Sequence, residues 1–109
     1  MIKLVPSPTF KARVPFSIPG EEQPAVIEIE FAHRAPPALV AWWQSAKERP
    51  VSEAMAEVVK GWSGVIDESG AEVPYSADTL AQFLGNSSTR GQELLRAYLR
   101  ELTESRLKN

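Results

Sequence analysis

The chain has 109 residues, of which 43% are apolar and 24% charged, so its length and composition predict one globular domain spanning residues 1–109. The formal net charge of −2 disfavours a nucleic-acid-binding module, and the absence of cysteine together with a single histidine excludes thiol nucleophiles, Cys-based metal sites and His-pair metal sites. No apolar run is long enough to span a membrane and the N-terminus lacks the pattern of a signal peptide, so we expect a cytoplasmic protein.

The first third of the chain predicts an antiparallel β-hairpin over residues 9–33. Apolar and polar side chains alternate along residues 9–18 and again along residues 25–31, which is the period of a half-buried strand. The segment between the two runs is rich in proline, glycine and acidic residues and is typical of a loop.

Matching the two apolar faces predicts a register for this hairpin. Val14 would lie opposite Ile29, and Arg13 would lie opposite Glu30 on the polar face, where opposite charges attract. Pro15 cannot donate a backbone hydrogen bond, so its position favours an edge strand.

The rest of the chain predicts about four helices, and therefore an α+β fold that ends in a long amphipathic helix. Their expected bounds are residues 37–48, 53–60, 77–84 and 88–107. Ser52 and Ser76 are candidate N-caps, and residues 62–75 are expected to be irregular. The last helix carries an apolar stripe that we expect to be buried against the hairpin through Leu95, Tyr98, Leu99 and Leu102.

No catalytic group of residues is recognisable. His33 could act as a general base, but no nucleophile motif accompanies it, and the sequence favours a histidine at a strand end with a backbone or solvent partner. Asp67 and Glu68 could belong to a cation-binding loop or to a solvated turn, and no EF-hand pattern surrounds them. We therefore predict a protein that is not an enzyme and needs no cofactor or metal.

The tryptophans are more informative. Trp42 and Trp43 are adjacent, so on a helix their side chains diverge by about 100° and cannot both point inward. Either one is a core residue and the other is partly covered at the surface, or the outer one anchors a protein partner. Trp62 follows a predicted helix end and is expected to fill the core beside the hairpin.

Three stretches, in order along the chain, form a set of motifs. The N-terminus reads KLVPSPTFK over residues 3–11, and the middle reads VVKGWSGV over residues 58–65 and is followed by the acidic Asp67. The last stretch reads AYLRELTESRLKN over residues 97–109. Together they resemble the small phage tail assembly chaperones over nearly the whole chain, and the residues that carry the likeness include Gly61, Trp62, Gly64, Tyr98 and Leu99.

This resemblance implies a non-enzymatic chaperone that coats and solubilises the tape-measure protein while long phage tails assemble. The implied partner is the tape-measure protein, with the tail-tube protein and a second copy of the chain as further candidates and with no nucleic acid or membrane. Such a protein acts in the bacterial cytoplasm and is not expected in the mature virion. The alternative is a small cytoplasmic interaction or regulatory module of unrelated role.

The sequence departs from the family pattern in two places. The segment 35–37 reads APP where a polar helix cap is expected, and residues 69–75 resemble an insertion. Families of this kind are often made in two lengths by ribosomal frameshifting, and Lys108-Asn109 can be encoded by an adenine-rich run. The other interpretation of this terminus is a polar helix end that simply stops.

Overall fold

The computed structural model describes residues 1–104 and has the predicted α+β fold, with a three-stranded antiparallel sheet and four helices. The strands and helices follow one another as β1 (Thr9–Phe16), β2 (Ala25–Ala32), α1 (Pro36–Ala46), α2 (Val51–Val58), β3 (Val59–Ser63), α3 (Ala77–Gly85) and α4 (Arg90–Thr103). The terminal part of the predicted last helix, residues 105–107, and the Lys108-Asn109 pair lie outside the described residues.

The N-terminal hairpin is confirmed, but its predicted register is wrong by two residues. Val14 lies opposite Ile27 rather than Ile29, and Arg13 lies opposite Glu28 rather than Glu30. The reason is that β1 ends at Phe16, two residues before the predicted end of pairing, which leaves a longer loop. A shift of two keeps every side chain on its predicted face, so the buried pattern is unchanged.

A third strand, Val59–Ser63, takes the place of the end of the predicted second helix (53–60) and of the start of the segment 62–75 that was expected to be irregular. Helix α2 ends at Val58, and the next residue begins β3, which pairs with β2 across a bulge between Glu30 and Phe31. Gly61, the residue after the predicted helix end at 60, lies inside this strand. The order β1-β2-β3 also places β1, with Pro15, at an edge as predicted.

The helix starts show which local signals decide a boundary. Ser76 is the N-cap of α3, where its hydroxyl accepts from the Thr79 backbone N–H at 3.0 Å and the Thr79 hydroxyl accepts from the Ser76 N–H at 2.9 Å. The prediction for Ser52 was wrong, because α2 already begins at Val51 after Pro50, whose φ of −54° suits the start of a helix.

The core lies between one face of the sheet and the helices. Helix α4 buries a stripe that is rotated from the predicted one and consists of Gly91, Leu94, Ala97 and Tyr98. The predicted core residues Leu95, Leu99 and Leu102 are only partly buried, and Tyr98 is the one that is fully buried. Leu95 and Leu99 each follow a buried residue, so their side chains diverge from the stripe by about 100° and lie at its rim.

Candidate protein-binding site

The two adjacent tryptophans of α1 have different environments, as the helical geometry requires. Trp42 is 6% exposed, and its ring meets Tyr98 edge-on with 5.3 Å between centroids. Its Nε1–H donates to Glu57 Oε1 at 3.1 Å, which satisfies the indole within a mostly apolar contact. Trp43 is only half-buried and packs at the edge of the core. Of the pair, Trp43 is therefore the side chain available to a partner.

Trp43 lies in a surface groove of about 350 Å³ between α1 and α4, which we call the α1/α4 groove. Its other lining residues all come from α4 and the residue after it: Gln92, Leu95, Arg96, Leu99, Arg100, Thr103 and Glu104. Leu95 and Leu99 are one helical turn apart and share the face next to Trp43. The floor of the groove is thus apolar and its rim is polar.

A second depression, of about 170 Å³, continues the groove toward α2. It shares Trp43, Gln92 and Leu95 with the first and adds Lys47, Val51 and other residues of the α1–α2 corner. The apolar floor therefore extends from this corner along α4, and one elongated segment could contact all of it.

The cations at this surface differ in how they are held. Arg49 forms an ion pair with Glu57 at 2.7 Å, and the same carboxylate accepts from Trp42. The hydrogen bond from Arg49 is the main reason that the pKa of Glu57 lies below its ordinary value. Lys47, Arg96 and Arg100 make no ion pair with any other residue of 1–104.

The residues of the middle motif, 58–65, stabilise the fold and do not line the α1/α4 groove. Gly64 has a φ of +106°, and a Cβ there would lie 3.3 Å from Ile27 Cγ2, so both conformation and space favour glycine. Gly61 faces Glu30 across the sheet. The Trp62 ring contacts Tyr75 and Phe83, and its Nε1–H donates to the Val73 carbonyl at 2.8 Å, so Trp62 secures the 64–75 loop.

The two motif residues on α4 divide between core and groove. Tyr98 is buried, and its hydroxyl donates to the Ala32 carbonyl at 2.8 Å, which ties α4 to the end of β2. Burial raises the pKa of this phenol above its ordinary value. Leu99, the next residue, lines the α1/α4 groove.

The acid–base candidates are not brought together. His33 lies past the end of β2, where its ring contacts Phe10 and its backbone N–H donates to the Pro8 carbonyl. Asp67 Oδ1 accepts from Ser69 and from the Ala71 N–H, and these bonds lower the pKa of that carboxyl while closing a turn. Within residues 1–104, no three histidine or acidic side chains are grouped to hold a metal ion.

Sequence reasoning missed the groove because it placed Leu95 and Leu99 in the core. The signal that could have found it is the pairing of two i, i+4 sets on α4, the leucines at 95 and 99 and the arginines at 96 and 100. Each leucine is followed by an arginine, which marks the edge of the apolar face.

The described helices include none long and apolar enough to cross a membrane. Comparison with curated proteins gives no match, and comparison with solved structures gives none either. The family model described as phage tail assembly chaperone matches residues 1–109, which is the whole chain. The protein therefore belongs to the phage tail assembly chaperone family, and a chaperone family indicates a role other than catalysis.

Proposed function

We propose that this protein binds the tape-measure protein in the host cytoplasm and keeps it soluble until the tail-tube protein surrounds it. Family membership supports a part in tail assembly, and the tape measure is the client that the motif resemblance implies. A long helical client with uncovered apolar stripes would aggregate, so a small protein that covers such stripes reversibly would keep it in solution.

The observation that carries this proposal is the α1/α4 groove. It offers the half-buried Trp43 and the apolar Leu95 and Leu99 at the surface, a combination suited to the apolar face of a helix. The groove is open and offers few apolar side chains to a client, which favours reversible binding of the client over its permanent burial.

Co-expression with a tape-measure protein from the same phage tests the proposal. We expect the tape-measure protein to move from the insoluble to the soluble fraction and to co-purify with a tagged copy of this chain. Addition of tail-tube protein should then release the client. Expression of the tape-measure protein with an unrelated domain of similar size and charge is the control.

Failure of the tape-measure protein to co-purify, together with an unchanged soluble fraction, would contradict the proposal. The same result would favour an interaction module with another client. Co-purification that survives tail-tube protein would retain the binding role and contradict the proposed displacement.

A further inference from the structure

We propose that the α1/α4 groove takes one amphipathic α-helix whose apolar stripe is flanked by Asp and Glu side chains. This inference rests on the proposed function and names the surface and the chemistry of the client segment. It is supported by the shape of the groove and by the cations along it. It is also supported by the like charges that a twofold contact between copies would bring together.

The shape fits a helix of about three turns. The groove follows α4 from Gln92 to Thr103, a distance of about 16 Å at the rise of an α-helix. Trp43, Leu95 and Leu99 form its floor, and the second depression extends the floor to Val51. Apolar side chains at i, i+3 or i+4, and i+7 of a bound helix would reach successive parts of this floor.

The charges around the groove select the flanks of that helix. Arg96 and Arg100 lie one turn apart on α4 and line the groove, and Lys47 lines its continuation. None of these three cations forms an ion pair within residues 1–104. Glu104 is the one acidic residue among the described lining residues, so the rim is predominantly positive. Carboxylates beside the apolar stripe of a client would meet these cations.

The same charges argue against a second copy of the chain as the occupant. Two copies related by a twofold axis present the same patch to each other. Such a contact through the groove would bring the Arg96–Arg100 rims of both copies together, and like charges at an interface disfavour association.

Two synthetic helical peptides of about 18 residues test the inference. Both carry leucine at i, i+3, i+4 and i+7, and they differ only in the flanking positions, which are Glu in one and Lys in the other. Titrated with the full chain at low salt, the Glu-flanked peptide should bind about ten-fold tighter or more. This preference should shrink between about 50 and about 500 mM salt, because exposed charges are screened.

Charge reversal in the protein should invert the preference. We expect the variant R96E/R100E to bind the Lys-flanked peptide tighter than the Glu-flanked one. The variant K3E/K60E changes the net charge equally at two exposed positions outside the groove and should keep the wild-type preference. Circular dichroism and Tm establish that each variant folds, and R96Q, at an exposed position, is the milder substitute with an expected loss of about three-fold.

Equal binding of the two peptides, or an unchanged preference in R96E/R100E, would overturn the inference. So would dissociation of a wild-type dimer by R96E/R100E in analytical ultracentrifugation, since the groove would then be a contact between copies. The full-length tape-measure protein separates this result from the proposed function. Its capture by wild type and R96E/R100E alike would refute the groove and keep the function. If neither protein captures the tape-measure protein while the peptide preference is intact, the proposed function is refuted and the inferred chemistry of the groove stands.

Discussion

At the scale of single residues, two neighbouring positions of α1 differ in role, one in folding and the other in the proposed binding. Trp42 and Trp43 are neighbours in sequence, but Trp42 packs edge-on against Tyr98 and donates to Glu57, whereas Trp43 lines the groove. The carboxylate of Glu57 also binds Arg49, so the Trp42 indole and the Arg49 guanidinium share one partner at the edge of the core. Trp42 is thus part of a hydrogen-bond network, whereas the Trp43 side chain makes no hydrogen bond within residues 1–104.

Alanine should therefore lower stability at Trp42 and weaken peptide binding at Trp43. Trp42→Ala should lower the free energy of unfolding by about 3–5 kcal/mol, the range for a large buried aromatic side chain. Trp43→Ala should change stability by about 1 kcal/mol and weaken binding of the Glu-flanked peptide by more than about 1 kcal/mol. Urea unfolding and peptide titration measure both quantities. Equal destabilisation by both substitutions would make Trp43 a core residue and not an anchor.

At the scale of elements, α2 is held at both of its ends, by β3 at one and by α4 at the other. Helix α2 passes into β3 without a loop, because Val59 follows the last helical residue directly and pairs with Phe31. The N-terminus of α4 packs against the start of α2, where a Cβ on Gly91 would lie 2.7 Å from Val51 Cγ1. A glycine that would ordinarily weaken a helix is here the residue that lets two helices meet.

We expect Gly91→Ala to destabilise the protein by about 1–3 kcal/mol, because the added methyl clashes with a stiff β-branched side chain. Val51→Ala in the same chain should recover part of this loss, since it removes the methyl that clashes. Gly85→Ala is the control, because the last residue of α3 has open space at its Cβ and should tolerate alanine. Urea unfolding of the single and double variants checks the cycle. Equal tolerance of alanine at both glycines would contradict the close contact.

At the scale of the whole molecule, the apolar surface is unevenly distributed. The helices cover one face of the sheet, while the N-terminal arm, residues 1–5, keeps nearly all its apolar side chains in solvent, as at Leu4, which is 98% exposed. The arm makes one side-chain hydrogen bond among the described residues, from Lys3 Nζ to Ser7 Oγ, over a local span. We therefore expect the fold not to depend on the arm.

Deletion of residues 1–5 should leave Tm within about 4 °C of the full chain, because changes at exposed sites stay within about 0.5 kcal/mol. Thermal unfolding followed by circular dichroism measures this. A Tm lower by more than about 8 °C would mean that the arm docks on the fold, for which the depression beside Phe10, His33 and Leu102 is the nearest place.

The strands of the hairpin, the α3 cap and the existence of four helices could be predicted from the sequence, because each depends on contacts between near neighbours. Alternating side chains define a strand face whichever partner it meets, and Ser76 caps α3 through Thr79, three residues away. The divergence of Trp42 and Trp43 likewise follows from helical geometry alone.

The third strand, the hairpin register and the rotation of α4 were decided only by the tertiary structure. Val59–Ser63 is too short to define a strand by itself and becomes one by pairing with β2, a segment about 30 residues earlier. The rotation of α4 depends on the fit of Gly91 against Val51 and on the bond from Tyr98 to Ala32. Helical periodicity places Leu95 and Leu99 on one face, but only the packing of α4 determines that this face meets solvent beside Trp43 and forms the groove.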